Sequence, residues 1–118
     1  MGTFQVTIEI GDPQGERWAP VRALVDTGST FTWAPRDLLT RLGVEPELQA
    51  DFRMADGRMV RRDIAQTQVR FEGQRRVTIV VFGDPDSPAL LGAYTLEGFL
   101  LAPDPVSQRL VPVPGLAM

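Results

Sequence analysis

Residues 24–30 read Leu24-Val25-Asp26-Thr27-Gly28-Ser29-Thr30, an apolar run that ends on a carboxylate and then meets hydroxyls around a glycine. Ala23, Leu24 and Val25 have the pattern of a buried strand, so Asp26 is expected where that strand leaves the interior. Gly28 suits a sharp turn with positive φ or a close approach of backbone. Thr27 and Ser29 can each donate to a carboxylate or satisfy the backbone of the turn. A carboxylate held in a rigid turn of this kind suits a general base. The same residues also make an ordinary structural turn.

Composition narrows the chemistry. The chain contains no cysteine and no histidine, which excludes disulfides, thiol catalysis, zinc sites of the usual kind and every triad that needs an imidazole. Lysine is also missing, and the basic side chains are twelve arginines. Schiff-base chemistry and a phosphate-binding lysine are thereby excluded. Carboxylates, hydroxyls and arginines remain, and that exclusion raises the weight on Asp26. Similar Asp-x-Gly-Ser/Thr loops cradle phosphates in actin-like ATPases, but those folds need far more chain than 118 residues. No metal and no cofactor is expected. A net charge of −3 gives a nucleic-acid role no electrostatic support. No window approaches the ~20 apolar residues of a membrane span. Met1 to Val6 lack a basic region and an apolar signal core, so a cytoplasmic protein is expected. Arginine in place of lysine fits an arginine-biased genome of bacterial type. A single domain over residues 1–118 is expected.

The elements that must position Asp26 are mainly strands. Phe4, Val6, Ile8 and Ile10 alternate with polar residues, which predicts a half-buried strand over residues 3–10. A turn at Gly11-Asp12-Pro13-Gln14-Gly15 leads to a second strand, Trp18 to Val25, that runs into the Asp26 loop. Phe31, Thr32 and Trp33 extend beyond it. Residues 35–43, with Pro35 at the start and Gly43 past the end, predict a short helix. Leu48 to Met54 is extended, and Asp56-Gly57 predicts a hairpin with a tight primed turn. The return strand runs through Phe71, and its apolar phase changes between Val60/Ile64 and Val69/Phe71. A bulge near Ala65 is the expected cause. Glu72-Gly73-Gln74 is a second hairpin turn before the run Val77 to Phe82. Ala89-Leu90-Leu91-Gly92 predicts a buried strand, and residues 93–99 a turn or two of helix. Phe99–Ala102 and Gln108–Val113 are expected to pair around Pro103-Asp104-Pro105. Trp18, Leu90, Leu91 and Phe99 are expected in the core, and Trp33 is open between core and pocket wall.

This order of parts resembles the retropepsin-like aspartic proteases, in particular their small bacterial members. Ala23 to Ser29 looks like the catalytic loop, the Asp56-Gly57 hairpin falls where that family has its flap, and Ala89-Leu90-Leu91-Gly92 plus a short helix looks like the motif packed beside the loop. The resemblance spans residues 3–113. It implies a mainly β fold, a closed barrel or sandwich with a flap hairpin and one or two short helices. Ala93-Tyr94 stands where retroviral members carry a polar pair, and the flap tip is charged rather than glycine-rich. Pro112 and Pro114 cannot donate to the interleaved terminal sheet by which retroviral subunits pair.

The resemblance also implies a mechanism. Aspartic proteolysis needs two carboxylates that share one proton across a water. Like charges ~3 Å apart cannot both ionise, so the pair is acid and base together, as in aspartic proteases generally. The chain holds a single Asp-Thr-Gly, so the second carboxylate is expected from Asp26 of another copy in a homodimer. By the resemblance, Thr27 ties the two loops, Gly28 offers backbone to substrate, and Ser29 bonds the outer oxygen of Asp26. Ala55, Asp56 and Gly57 close over a polypeptide substrate bound as an added strand. Arg58, Arg61 and Arg62 read either as a solvated face or as a preference for acidic substrates. A non-catalytic module that binds a peptide strand or serves in assembly is the alternative.

Overall fold

The computed structural model describes residues 4–117; Thr3, the first residue of the expected N-terminal strand, lies outside the described residues. β1 (Gln5–Gly11) pairs antiparallel with β2 (Trp18–Val25), and β3 (Thr32–Pro35) follows the Asp26 loop. Then come α1 (Arg36–Arg41), β4 (Leu48–Arg53), β5 (Met59–Phe71), β6 (Gln74–Gly83), β7 (Ala89–Leu91) and α2 (Ala93–Phe99). β8 (Leu101–Asp104) and β9 (Arg109–Pro112) form a separate two-stranded sheet. The large sheet runs β1-β2-β7-β3-β6-β5-β4, and β1 also pairs with β5. Six strands thus close a mixed barrel, and β4 projects from it with the first half of β5. The mainly β reading with two short helices holds.

Inward side chains fill the barrel as the alternation predicts. Phe4, Ile8 and Ile10 from β1, Ala23 and Val25 from β2, and Val80 and Phe82 from β6 are buried together. Leu91, Leu96 and Phe99 join them, while Leu90 is half-buried. Trp18 departs from expectation. It is only partly buried, its ring lies against Gly11, and the Arg70 guanidinium sits 4.1 Å above it. An indole set between a glycine and an arginine stays half-buried, which a strand pattern alone does not reveal.

β5 contains no bulge. Its register with β6 is unbroken from Ile64↔Val81 to Phe71↔Gln74, as is its register with β4 from Met59 to Ile64. The apolar phase changes because the strand changes environment. Beyond Ile64, Ala65, Thr67 and Val69 face the barrel interior. Before it, Val60 lies across from Phe52 on the opposite face of the projecting hairpin. The C-terminal pair is also shifted: α2 extends through Phe99, so β8 starts later than expected.

The primed turn expected at Asp56-Gly57 is not formed there. At the β4–β5 tip, Met54 N–H donates to Arg58 O and Gly57 N–H donates to Met54 O, a three-residue loop with only Gly57 at positive φ (90°). The primed turn occurs instead at Glu72 (φ 50°) and Gly73 (φ 82°), which join Phe71 to Gln74. A glutamate in the left-handed region costs about 1 kcal/mol or more, and asparagine tolerates it better. Glu72→Asn should therefore raise unfolding stability by about 0.5–1 kcal/mol. Urea denaturation checks this, and an unchanged or lower midpoint refutes it.

Candidate active site

The Asp26 loop is fixed from both sides. β7 lies parallel to β2, pairing Ala23↔Ala89, Leu24↔Leu90 and Val25↔Leu91. Asp26 N–H continues that pairing by donating to Leu91 O at 3.0 Å. On the far side, α2 receives the loop: Ala93 N–H donates to Ser29 O at 2.8 Å, and Tyr94 N–H donates to Thr30 O at 2.9 Å. Ala93 and Tyr94 thus support the loop through backbone amides, which any side chain can supply. Gly92 lies where no Cβ fits, since one would fall 2.3 Å from Phe31 O and 2.9 Å from Ser29 O.

Within the loop, Gly28 N–H donates to Asp26 Oδ1 at 3.0 Å, and Ser29 N–H donates to Asp26 O at 3.1 Å. Gly28 does not need positive φ. Its use is closeness, because a Cβ there would stand 3.2 Å from Asp26 Oδ1. The Ser29 hydroxyl donates to Phe31 O at 2.8 Å rather than to the carboxylate, so in this chain it braces the turn. Thr27 and Gly28 are exposed and Asp26 is half-buried.

Several carboxylates are neutralised or held within the chain, and among the described residues Asp26 is not one of those paired with an arginine. Glu9, Asp51, Asp56, Asp63 and Asp84 each carry an arginine, and the backbone turns around Asp12 and Asp104 hold those two groups. Bonds from Arg61 to Asp51 and from Arg36 to Asp63 hold these carboxyls below the usual carboxylate range. The Arg58 backbone N–H, then its guanidinium, does the same for Asp56. Among the described residues no arginine pairs with Asp26. The acidic-substrate reading of Arg58, Arg61 and Arg62 loses its basis, since Asp56, Asp51 and Asp84 balance their charge within the chain.

Ala55, Asp56 and Gly57 lie at the exposed tip of the β4–β5 hairpin. The hairpin reaches the loop region through Phe52, which the sequence reading did not single out. Its ring meets Trp33 edge-on at 5.3 Å and Phe31 at 6.2 Å, and Phe31 in turn meets Tyr94 at 5.8 Å. Trp33 is half-buried and pairs with Leu90 of β7, so it forms part of the wall between hairpin and loop.

A hydroxyl cluster beneath the loop was also missed. Thr95 Oγ1 lies 2.7 Å from both Thr32 Oγ1 and Thr78 Oγ1, all three buried, and Gly92 N–H donates to Thr32 Oγ1 at 3.1 Å. The signal was a threonine on the apolar face of α2, beside Leu96 and Phe99. Thr95→Val keeps the shape but strips partners from two buried hydroxyls, and should cost about 1–3 kcal/mol. Equilibrium urea unfolding checks this, and a variant as stable as the parent removes the cluster's structural role.

A profile described as "Aspartyl protease" matches residues 6–95, the stretch that contains the barrel strands, the β4–β5 hairpin, the Asp26 loop and the start of α2. The chain belongs to the aspartyl protease family. This retropepsin-like chain is similar in structure to the protease of simian foamy virus (mac), at TM-score 0.57 and 19% identity, over 79% of this chain and 91% of that one. It is similar to the retroviral protease-like domain of Ddi1 from Leishmania major, at TM-score 0.56 and 17% identity, over 92% and 87% of the two chains. A retropepsin-like aspartic protease from Rickettsia conorii aligns at TM-score 0.51 and 18% identity, over 81% and 82%. No curated protein matches the chain. No helix among the described residues is long and apolar enough to cross a membrane.

Proposed function

We propose that this protease-family chain is an aspartic endopeptidase active as a homodimer, folded as one domain over residues 1–118. Asp26 of each subunit is the catalytic group. The observation that carries this reading is the Asp26 carboxylate, half-buried at a strand end, held by the Gly28 N–H and free of arginine among the described residues. Such a group can face an identical one across a twofold axis. The two carboxylates share one proton. The ionised member takes a proton from the water between them as that water attacks the scissile carbonyl carbon. The protonated member donates to the carbonyl oxygen. The carboxyl that took the water's proton then passes it to the leaving nitrogen as the C–N bond breaks, while the other carboxylate takes back a proton from the gem-diol.

The exposed Thr27 ties the two loops across the axis, and Gly28 offers backbone to an extended polypeptide lying beneath Ala55, Asp56 and Gly57. Ser29 supports the loop through Phe31. The pair must stay half-protonated, so activity is expected at acidic to near-neutral pH and is lost under strongly alkaline conditions.

The test is cleavage of a mixed peptide library with and without a tetrahedral transition-state mimic. Cleavage that the mimic blocks supports the endopeptidase. Binding of peptides without cleavage at any pH supports the non-catalytic module instead. Dilution gives a further check: specific activity should fall in step with the dimer fraction measured by sedimentation. Constant specific activity from a monomer overturns the shared site.

A further inference from the structure

The nine aspartates of the chain differ in the residue that follows them, and that residue decides whether an aspartyl side chain can close on the main chain. Closure needs the next amide nitrogen to attack the side-chain carboxyl carbon. Asp12, Asp84 and Asp104 precede proline, whose nitrogen carries no hydrogen to give up. Asp26, Asp37, Asp51 and Asp63 precede Thr27, Leu38, Phe52 and Ile64, whose side chains crowd the nitrogen. Asp86 precedes Ser87, and Asp56 alone precedes a glycine. The chain has no asparagine to enter the same reaction.

The β4–β5 tip leaves room for that closure. The Asp56 side chain is 57% exposed, and a Cβ at Gly57 would meet nothing within 4 Å, so a new ring there displaces no neighbour. Arg58 is the restraint. Its backbone N–H donates to Asp56 Oδ1 at 3.0 Å, and its Nε donates to Asp56 Oδ2 at 2.8 Å. Both bonds favour the anion, whose carbon is a poor electrophile, and they hold the carboxyl below the usual carboxylate range. Gly57 N–H is engaged with Met54 O at 2.9 Å, and Arg53 Nη1 donates to Gly57 O at 3.3 Å. The Arg58 side chain is itself 68% exposed, so water competes for both ends of the ion pair.

We propose that Asp56-Gly57 is a site of aspartyl isomerisation at the hairpin tip and that Arg58 sets its rate. The Gly57 nitrogen bonds to the carbon of the protonated Asp56 carboxyl and gives up its proton, and a water leaves, which closes a five-membered succinimide. Water then adds to one of the two ring carbonyls. Breaking the bond from nitrogen to the side-chain carbonyl restores aspartate. Breaking the bond from nitrogen to the main-chain carbonyl gives isoaspartate, with Asp56 Cβ now part of the main chain. Water is the only co-reactant. The product lengthens the tip by one carbon and moves the charged group, so the loop closed by Met54 N–H on Arg58 O no longer fits. The modification stands apart from the catalytic reading, whereas its effect on cleavage rests on that reading, in which this tip covers the substrate.

The test ages the intact protein in warm, mildly acidic buffer. Isoaspartate is read by enzymatic methyl transfer and placed by fragmenting the tryptic peptide that starts at Met54, in which Asp56 is the one aspartate. It should collect at Asp56 ahead of Asp86. Arg58→Met removes the guanidinium bond, keeps the backbone bond, and should speed the build-up about two- to fivefold, the weight of an exposed ion pair. Asp56→Glu should abolish it, because the ring would then need a sixth member. The wild-type chain unfolded in urea gives the unrestrained rate, and the folded protein should stay below it, a comparison that needs no variant to fold. Absence of isoaspartate at Asp56, a folded rate equal to the unfolded one, or a rate indifferent to Arg58→Met overturns the proposal. Cleavage by the same samples should fall as isoaspartate builds up. Full cleavage by the modified protein overturns the tip's role as a cover and leaves the modification standing.

Discussion

Replacing Asp26 by Asn is expected to lower peptide cleavage by ~10²–10⁴ or more while the fold and the dimer persist. Asparagine keeps the side-chain oxygen that accepts the Gly28 N–H, and Asp26 N–H to Leu91 O is a backbone bond that the change leaves alone. No arginine is orphaned, since none pairs with Asp26 among the described residues. Only the ability to share and move a proton is lost. Initial rates on a cleaved library peptide, with sedimentation and melting on the same samples, make the comparison. Equal cleavage by the variant ends the proposed mechanism.

Gly92→Ala should be the most damaging small substitution in the chain. The added Cβ would lie 2.3 Å from Phe31 O, 2.5 Å from Phe31 C and 2.9 Å from Ser29 O. These are backbone atoms of the loop that carries Asp26, so relief requires the loop to leave α2 and give up the Ala93 and Tyr94 amide bonds. The overpacking should cost about 3 kcal/mol or more, which corresponds to a melting point lower by roughly 10 °C in a domain of this size. Gly57 and Gly98 serve as controls for methyl clash, because a Cβ at either meets nothing within 4 Å. Gly98→Ala is the cleaner one, since Gly57 needs positive φ. A Gly92→Ala protein that melts with the parent refutes the argument.

The site was legible where local chemistry and sequence order agree. Ala23-Leu24-Val25 followed by Asp26-Thr27-Gly28-Ser29 announces a strand that ends in a stiff turn, and Ala89-Leu90-Leu91-Gly92 announces a buried strand before a short helix, whereas the close approach at Gly92 appears only in the packing. Helix α1 was readable from Pro35 and Gly43. What failed were choices that depend on distant partners. The phase change in β5 suggested a bulge because a sequence does not say which face is buried in each half of a strand. Asp56-Gly57 and Glu72-Gly73 both carry an acidic residue before glycine, and only the strand register decides which becomes the two-residue turn. Ser29 could have served Asp26 or its own turn, and the nearness of Phe31 O settles it. Thr32, Thr78 and Thr95 lie scattered along the chain, and only the packing of α2 on β3 and β6 brings their hydroxyls together.

The wedge of β7 between β2 and β3 has a consequence for biosynthesis. Asp26 is translated before β7, yet its amide waits for Leu91, and Thr32 waits for Gly92, sixty positions later. While the nascent polypeptide still hides that segment in the ribosomal exit tunnel, the loop has nothing to close upon. Chain connectivity alone therefore delays closure of the Asp26 loop until β7 and the start of α2 have emerged.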